Sequence, residues 1–493
     1  MAVIAPEAHA DELSSLKAQL EALQSQVNTV AAAQPSLLPN AKGLVSFERG
    51  QASLGNWGQD PRDAAGNNPD AGFTIAITPV ADMPAPVAEI TVYGYVKGDV
   101  LWDSNGMTNK YSFSLQSLAP AYNNGTYGDG YVNLHAFQSR FGIKSKVDTA
   151  VGLIRTRIEG DFLKNVEDAG LFRVRYAYGE WDLAPGWMLT IGQTDYLENV
   201  TNIGIPYVDF FEEAGPTGRS RAPQVRLTYT DGPLTWAVAM EDATWDSSTA
   251  VPNFAGFVGY KTESGSSFQL TGVVSDYDVS ASVGSYTGSS ISTCADTKSA
   301  IIGYDSGGNP VYSGSIPCAV LTDVSNQPSG LGWAIMGGAS FPVTDNVSFN
   351  VGANYGFGEV VPQLNQTANK NQRVDANGNL MEAWSIQSGL SVGITQTTSF
   401  NLGAGFEEYL GALADEGWIH SAATVHANIL WQPVSQLKLG WEVMWGEINY
   451  ANRGICLDST AVLTNAGSST VDYGGCKSTL DDVRFQFGAW FYF

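Results

Sequence analysis

Basic side chains recur at alternate positions in three consecutive segments of the chain, and their chemistry is the easiest to interpret. They are Arg140 and Lys144 in the first segment, Arg155 and Arg157 in the second, Arg173 and Arg175 in the third, and Arg226 further on. A guanidinium group stays charged at any relevant pH and binds a carboxylate through two parallel hydrogen bonds. If the segments are strands, residues two positions apart share a face, so neighbouring strands would bring these cations onto one wall. In a narrow aqueous channel, such a wall would select for anions and offer them successive weak binding sites.

The alternative is that these charges have no specific role, because a water-filled lumen tolerates polar side chains. Glu159 and Asp161 lie on the same face as Arg157 and could neutralise two of the arginines. The chain has 25 lysines and arginines against 49 aspartates and glutamates, a formal net charge of -24. Because basic residues are scarce, their clustering favours a functional group. The acidic balance also argues against nucleic acid as a partner.

The segments that carry these cations alternate between apolar and polar residues with a period of two, as strands do. In the first segment Phe141 and Val147 occupy the face opposite the basic residues, and in the third segment Tyr176 and Tyr178 do so. The last eleven residues, VRFQFGAWFYF, continue the alternation to an aromatic terminus. A terminal strand with so many aromatic residues would leave an exposed apolar edge in a soluble protein, which is unfavourable. A closed membrane barrel pairs every strand edge. A charge facing lipid would cost ~2–4 kcal/mol at the bilayer midplane, so we expect the basic residues to face inward.

About sixteen such segments follow one another between Ile90 and Phe493. Bacterial single-chain barrels have an even number of strands. No apolar run approaches the ~18 residues that a spanning helix needs. Short connections such as 344–346 alternate with long ones, notably 277–330 and 450–479, which is typical of periplasmic turns and extracellular loops. The sequence therefore predicts an all-β protein, a transmembrane antiparallel β-barrel of about 16 strands at 90–493, preceded by an N-terminal α-helical coiled-coil segment.

Three shorter sections precede the predicted barrel. Residues 1–10 end in Ala-His-Ala and are interpreted as a possible signal-peptide remnant. Residues 11–33 are predicted to form a coiled-coil helix, with heptad core positions at Leu13, Leu16, Leu20, Leu23, Val27 and Val30. This helix could associate with copies of itself or pack on its own barrel, and the heptads alone do not determine an oligomer number.

Residues 34–89 are rich in proline and glycine and are predicted to be a periplasmic linker. Within this linker, Phe73–Ile77 could form a short strand, either added at an edge or lying under the barrel.

The segment from Leu197 to Ala222 is too long and too apolar for an ordinary exposed loop. It resembles the third loop of general porins, which folds into the barrel and forms a constriction. Asp209, Glu212 and Glu213 would then face the arginines, and the opposed charges would orient dipolar solutes. Arg219 and Arg221 could pair with that acidic group or add to the basic wall.

Four cysteines form two local pairs inside long loops rich in Gly, Ser, Asn and Asp: Cys294 with Cys318, and Cys456 with Cys476. In an oxidising compartment, local disulfides are the natural expectation, although four cysteines allow three pairings. Neither pair has the spacing of a metal site or a nearby histidine, and we expect neither a metal nor a cofactor.

Several strings in the first half of the predicted barrel resemble the opening strands of the DcaP-like porins of Gram-negative bacteria. These strings are TVYGYVKGDVLWD, SRFGIKSKVDTAVGLIRTRIEGDF, FRVRYAYGEWDL and LTIGQT. The resemblance implies a homotrimeric porin of the bacterial outer membrane, with a periplasmic N-terminus and an N-terminal coiled coil, surrounded by lipid and lipopolysaccharide. It also implies uptake of small organic anions such as dicarboxylates, with anion contacts at Arg140, Arg155, Arg157, Arg173 and Arg175. The long linker and the cysteine pairs depart from the family pattern.

Two other functions compete with a diffusion channel. A hydrolase would need a nucleophile beside a histidine, and no such motif accompanies the four histidines, so no catalytic residues are expected. A structural anchor would use the coiled coil and the linker to reach the cell wall, with the barrel only holding the chain in the membrane. Deleting residues up to about Glu89 should leave conductance intact if the chain is a porin.

Overall fold

The computed structural model describes residues 44–49, 72–78, 88–106, 112–123, 125–163, 171–197, 205–209, 214–216, 221–243, 251–278, 301–304, 310–312, 329–358, 380–411, 413, 418–451, 455–456 and 476–493. The predicted signal remnant and the predicted coiled-coil helix lie outside the described residues. Most of the predicted linker does so as well.

Almost all regular structure in the described residues is β. The strands are β1 (Leu44–Arg49), β2 (Phe73–Thr78), β3 (Ala88–Asp103), β4 (Tyr131–His135), β5 (Arg140–Thr149), β6 (Gly152–Asp161), β7 (Arg173–Ala184), β8 (Trp187–Asp195), β9 (Arg221–Asp231), β10 (Leu234–Glu241), β11 (Asn253–Lys261), β12 (Ser267–Asp278), β13 (Ile301–Tyr304), β14 (Pro310–Tyr312), β15 (Ser329–Thr344), β16 (Val347–Phe357), β17 (Glu382–Thr395), β18 (Thr398–Leu410), β19 (Ile419–Val434), β20 (Leu437–Tyr450), β21 (Ile455–Cys456), β22 (Cys476–Lys477) and β23 (Thr479–Tyr492). A 3₁₀ turn at Leu115–Ser117 leads into the short helix α1 (Leu118–Asn123). None of the described helices is long and apolar enough to cross a membrane.

Sixteen of the strands form a closed antiparallel barrel in the order β3, β5 to β12, β15 to β20 and β23. The ring closes because β23 pairs with β3, with Tyr492 opposite Tyr95 and Arg484 opposite Asp103. The predicted all-β antiparallel barrel and its count of about sixteen strands are confirmed, whereas the predicted coiled-coil segment stays a prediction. Short turns connect β5 to β6, β7 to β8 and the later hairpins at one end of the barrel, and the long connections lie at the other end.

The terminal strand β23 shows why the barrel suits a membrane. On its outward face Phe485 and Phe491 are 50% and 55% exposed, whereas the inward Arg484 and Trp490 are 0% and 1% exposed. The same outward apolar pattern follows β3, β5 and β11. Closure of the ring gives every strand a hydrogen-bonded neighbour on both sides, and the belt of apolar side chains around it faces hydrocarbon favourably.

The strands β1 and β2 extend the barrel wall at the short-turn end, next to the C-terminal residue Phe493. β2 pairs with the first residues of β3, with Phe73 opposite Val92 and Ile77 opposite Ala88, and β1 pairs with β2. The terminal Phe493 donates its backbone N–H to Gly94 O, so β23 stops just where β2 begins. The short strand suggested at 73–77 is therefore present and is added at an edge of β3.

The alternation predicted for β7 is wrong beyond Arg175. A β-bulge shifts the pairing of β6 with β7 between Glu159 and Gly160. Tyr176 consequently points inward with Arg175 and is 1% exposed, instead of facing lipid. Tyr178, two residues further on, shares the face of Tyr176, and their rings meet edge to face with centroids 6.1 Å apart. A bulge of one residue moves every following side chain to the other face.

Candidate pore lining

Five arginines from four of the five strands between β5 and β9 lie together on the inner side of the barrel. They are Arg140 on β5, Arg157 on β6, Arg173 and Arg175 on β7, and Arg221 at the start of β9, and together they are called the arginine wall. The wall results from the register, which sets Arg140 opposite Asp161 and Asp161 opposite Arg173 across β5, β6 and β7.

Glu159 joins three of these arginines. Its side chain is fully buried and accepts hydrogen bonds from Arg157 Nη2 at 2.7 Å and Arg175 Nε at 3.2 Å, while Arg140 Nε lies 3.5 Å away. The Tyr93 hydroxyl also donates to Glu159, at 2.8 Å. One carboxylate therefore holds guanidinium groups from three strands in place.

Asp161 and Asp195 complete the acidic part of the wall. Asp161 accepts a bidentate pair from Arg173, at 2.9 and 2.7 Å, and a further hydrogen bond from Arg175 at 3.0 Å. Asp195 lies 3.7 Å from Arg221 and accepts from the Tyr176 hydroxyl at 2.7 Å. Five guanidinium groups thus face three carboxylates, which leaves an excess of two positive charges.

Tyrosine rings separate the guanidinium groups. Arg157 lies over the Tyr176 ring at 4.0 Å from its centroid, and Arg221 lies over the same ring at 5.5 Å. Arg140 lies 5.6 Å from the centroid of Tyr95. Cation–π contacts and ion pairs together restrict the side chains, so the wall is a fixed array of charges.

The remaining basic residues named from the sequence lie on the same inner side but in different surroundings. Arg155 is neutralised near the short-turn end, because it pairs with Glu180 at 2.9 Å and with Asp182. Lys144 lies over the Tyr93 ring at 4.7 Å. Arg226, on β9, is half-buried, and its Nε atom has no hydrogen-bond partner within the part of the chain that the structure describes.

The connection between β8 and β9 is called the third loop, and its residues 205–209 and 214–216 lie inside the barrel against the wall opposite the arginines. Val208 N and Asp209 N both donate to Glu442 Oε2 of β20, the second at 3.1 Å. Further along, Ala214 N donates to Thr424 at 2.8 Å and Gly215 N donates to Glu407 at 3.0 Å. Lys97 adds a hydrogen bond to Val208 O at 2.7 Å. The described parts of this loop are therefore fixed to the inner surface of β18, β19 and β20.

Glycines on the inner wall form recesses for the apolar side chains of this loop. A Cβ added at Gly389 would lie 1.1 Å from Ile205 Cδ1. Added at Gly440 and Gly488, it would lie 2.6 and 2.8 Å from the methyl groups of Val208. The loop can approach the wall this closely only because these positions have no side chain.

Residues 112–123 of the connection between β3 and β4 also lie inside the barrel, on the side of the long loops. Phe113, together with Leu115 of the 3₁₀ turn and Leu118 and Tyr122 of α1, is buried in one apolar cluster with residues of the inner wall. The wall residues of this cluster are Met381, Ala383, Tyr409, Ile419, Ala422, Met444, Ile448, Tyr450 and Leu480. Two infolded segments thus fill the side of the lumen formed by β17 to β20 and β23.

Of the residues predicted for the constriction, Asp209 is placed differently from expectation. Asp209 does not face the arginine wall: it lies in a buried network, where it accepts from Phe113 N at 2.7 Å and lies 3.5 Å from Arg484. Burial raises the pKa of the Asp209 carboxyl, and the nearby Arg484 and Lys97 only partly oppose this effect. At Asp209 the third loop lies close enough to the far wall for this carboxylate to contact Phe113 and Arg484. The sequence alone could not show this placement. Glu212, Glu213 and Arg219 lie outside the described residues, and Arg221 belongs to the arginine wall.

The cysteines are described only in part. Cys294 and Cys318 lie outside the described residues. Cys456 is the register partner of Cys476 in the two-residue pairing of β21 with β22.

No group of three or more His, Cys, Asp or Glu residues suited to a metal ion occurs in the described ranges. His426 lies 3.1 Å from Glu442 and packs on the Tyr207 ring, so its side chain contributes to the attachment of the third loop.

Several residues that matter for the lumen were not singled out from the sequence. Glu442, Glu407 and Lys97 attach the third loop, and Arg484 forms a bidentate pair with Asp103 at 2.5 and 2.9 Å. The sequence signal that could have identified these residues is a charged residue or a glycine at an inward position of a barrel strand. Which loop each would contact depends on tertiary structure.

The barrel is similar to solved outer-membrane channels. The crystal structure of the outer membrane channel DcaP of Acinetobacter baumannii matches with a TM-score of 0.57 and 19% identity, over 82% of this chain and 97% of that chain. An anion-selective porin from Comamonas acidovorans matches with a TM-score of 0.50 and 12% identity, over 82% of this chain and 100% of that chain. The sequence matches no described protein family and no curated protein. The likeness shows that this chain has the porin barrel fold, and it supports the resemblance to DcaP-like porins noted from the sequence.

Proposed function

We propose that this chain is an outer-membrane porin, a water-filled diffusion channel for small hydrophilic solutes that favours small organic anions such as dicarboxylates. The observation that carries the proposal is the arginine wall on the inner side of a closed sixteen-stranded barrel. Its five guanidinium groups outnumber its three carboxylates, although the whole chain has a formal net charge of -24. A local positive potential inside a confined lumen concentrates anions relative to cations.

Two arginines on the inner side of the barrel, one in the wall and one outside it, also provide donors that match a carboxylate. Arg173 is 34% exposed in its side chain, so a solute carboxylate can reach it in exchange with Asp161. Arg226 has an Nε atom without a hydrogen-bond partner among the described residues, so it can also donate to a solute group. Bidentate recognition by arginine favours carboxylates over spherical anions of the same charge. Small organic acids are therefore the solute class that fits, and ion transport follows from the same charge distribution.

The assembly proposed with this function is a homotrimer in the bacterial outer membrane, in contact with lipid and lipopolysaccharide. The short-turn end, which carries both β2 and the chain terminus, would face the periplasm, as such turns do in outer-membrane barrels. Residues 34–89 would lead from there to the coiled-coil helix at 11–33. None of the described residues favours the structural anchor that would bind the cell wall.

Cys456 and Cys476 are proposed to form a disulfide in the last long loop. Directly opposed residues of an antiparallel pair have Cα atoms about 4.5–5.5 Å apart, which lies within the range that a disulfide requires. For Cys294 and Cys318 the proposal rests on the sequence alone. Peptide mass mapping of unreduced protein tests both pairs, and a cross-linked peptide joining one pair to the other would contradict the proposal.

The function is tested by the reversal potential of the purified protein in a planar bilayer under a KCl gradient. We expect chloride to be more permeant than potassium. Arg226→Gln and Arg173→Gln should each lower the anion-to-cation permeability ratio by about twofold or more, which corresponds to one charge several ångströms from the permeating ion at high effective dielectric.

Lys261→Gln removes the same charge at the exposed end of β11 and serves as the matched control, with no change expected. A cation-selective wild-type pore would contradict the proposal. The absence of any conductance would favour the structural anchor.

A further inference from the structure

We propose, on the basis of the porin function above, that Glu159 and Asp161 are tethered counter-anions that determine how tightly a solute carboxylate binds in the channel. Each presents to the arginine wall the same chemical group that a transported organic acid would present. These acidic side chains would thereby set the selectivity of a wall that attracts anions.

The first supporting observation is that both carboxylates are saturated with guanidinium donors. Glu159 has three arginines within 3.5 Å, and Asp161 binds Arg173 and Arg175. Both acidic side chains have no exposed surface. An incoming carboxylate therefore cannot bind most of the wall without displacing an internal one.

The second observation is that exposure varies along the wall. Arg173 is 34% exposed, whereas Arg157 and Arg175 are 3% and 6% exposed. Both hydrogen bonds of the Arg173 fork are nevertheless used by Asp161, at 2.9 and 2.7 Å. Arg173 is thus the position where exchange between Asp161 and a solute carboxylate is sterically possible.

Competition of this kind suits a conducting channel. A wall of five unpaired guanidinium groups would hold a dicarboxylate tightly, because charge-assisted bidentate pairs are among the strongest hydrogen bonds. Conduction requires binding that is strong enough for entry and weak enough for release. By occupying the donors, Glu159 and Asp161 would shorten the time that each solute spends at the wall.

Asp161→Asn is the main test, made on the full chain in a planar bilayer. We expect the anion-to-cation permeability ratio in a KCl gradient to rise at least about twofold, by the same charge argument. Succinate added to one side at constant KCl should interrupt the current for longer than it does in the wild type, because Arg173 is left without its internal partner. Glu159→Gln should act in the same direction.

Two variants separate this effect from general damage. Glu408→Gln removes the same charge on the outer face of β18, where Glu408 accepts from Trp384 at 2.9 Å, and should change neither measurement. The double variant Asp161→Asn with Arg173→Gln restores the wild-type net charge and should return the permeability ratio toward the wild-type value. This return also shows that the single variant retains a folded pore.

The outcomes distinguish the two proposals. If the wild type is not anion-selective, the proposed function fails. If the wild type is anion-selective but Asp161→Asn and Glu159→Gln behave like Glu408→Gln, the tethered counter-anion role is refuted. A rise in selectivity without longer succinate interruptions would also refute it, since the internal carboxylates would then act only at long range.

Discussion

The attachment of the third loop to β20 can be tested by replacing one carboxylate. Glu442 is 2% exposed and accepts from the backbone N–H groups of Val208 and Asp209, and it also contacts His426 at 3.1 Å. Glu442→Ala removes this acceptor and leaves two buried donors without a partner.

The expected cost follows from these two donors. Each buried N–H left unsatisfied costs about 1–3 kcal/mol, so the local loss is about 2–6 kcal/mol if the site stays dry. Because every 1.4 kcal/mol is a factor of about ten, even the lower limit makes opening of 205–209 roughly 30-fold more frequent. The attachments of Ala214 and Gly215 to β19 and β18 are separate, so the loop should open locally and remain inside the barrel.

Hydrogen exchange measures this opening directly. The amides of Val208 and Asp209 should exchange about 30-fold faster or more in Glu442→Ala, and single-channel recordings should show a larger conductance with more current fluctuation. Glu447→Ala is the matched control, because Glu447 lies on the same strand, faces outward and accepts a hydrogen bond from Asn449 Nδ2 at 3.1 Å.

Unchanged exchange in a folded Glu442→Ala barrel would refute the reasoning. It would mean that Lys97 and the apolar recesses hold the segment without the carboxylate. Faster exchange with wild-type conductance would instead show that the segment does not limit the current.

Three further predictions follow from the packing of the lumen. Gly389→Ala should displace Ile205, whose Cδ1 lies 1.1 Å from the added Cβ, and a changed conductance in a folded barrel checks this. Arg484→Gln should destabilise the barrel by about 3–5 kcal/mol, because Asp103 is left buried and unpaired. The folded band in detergent electrophoresis should then be lost at a lower temperature, and an unchanged temperature would contradict this expectation. A chain that begins at residue 79 should still conduct, because all sixteen barrel strands lie within 88–493; loss of conductance in a folded chain would contradict the porin proposal.

Much of the barrel could be predicted from the sequence because its two faces meet different solvents. Phe485 and Phe491 face outward and Arg484 and Trp490 inward, and a period of two records that difference directly. The same rule placed Arg140, Arg157 and Arg175 on the inner face. Local chemistry is sufficient wherever the strand pairing is regular.

The rule fails where one residue is inserted. The bulge opposite Glu159 turned Tyr176 inward, where its hydroxyl now bonds to Asp195. No turn residue or glycine stands between Val174 and Tyr176 to mark this bulge. Both tyrosines are as compatible with a membrane interface as with a polar lumen. Contacts across the lumen could not be predicted from the sequence either, because Asp209 meets Phe113 and Arg484 only after two loops have folded inward.

β23 and β2 lie end to end along the same edge of β3, and this arrangement favours the correct register of the last strand. Pairing β2 with β3 joins residues fewer than twenty positions apart, whereas joining β23 to β3 closes a loop of nearly four hundred residues. The short closure costs less chain entropy, so we expect it to form first. Phe493 would then meet Gly72 and Phe73 if the last strand slid by two residues toward the short-turn end, a slip that the alternation alone would permit. The hairpin of β1 and β2 would thus act as a physical stop that defines where the final strand must end.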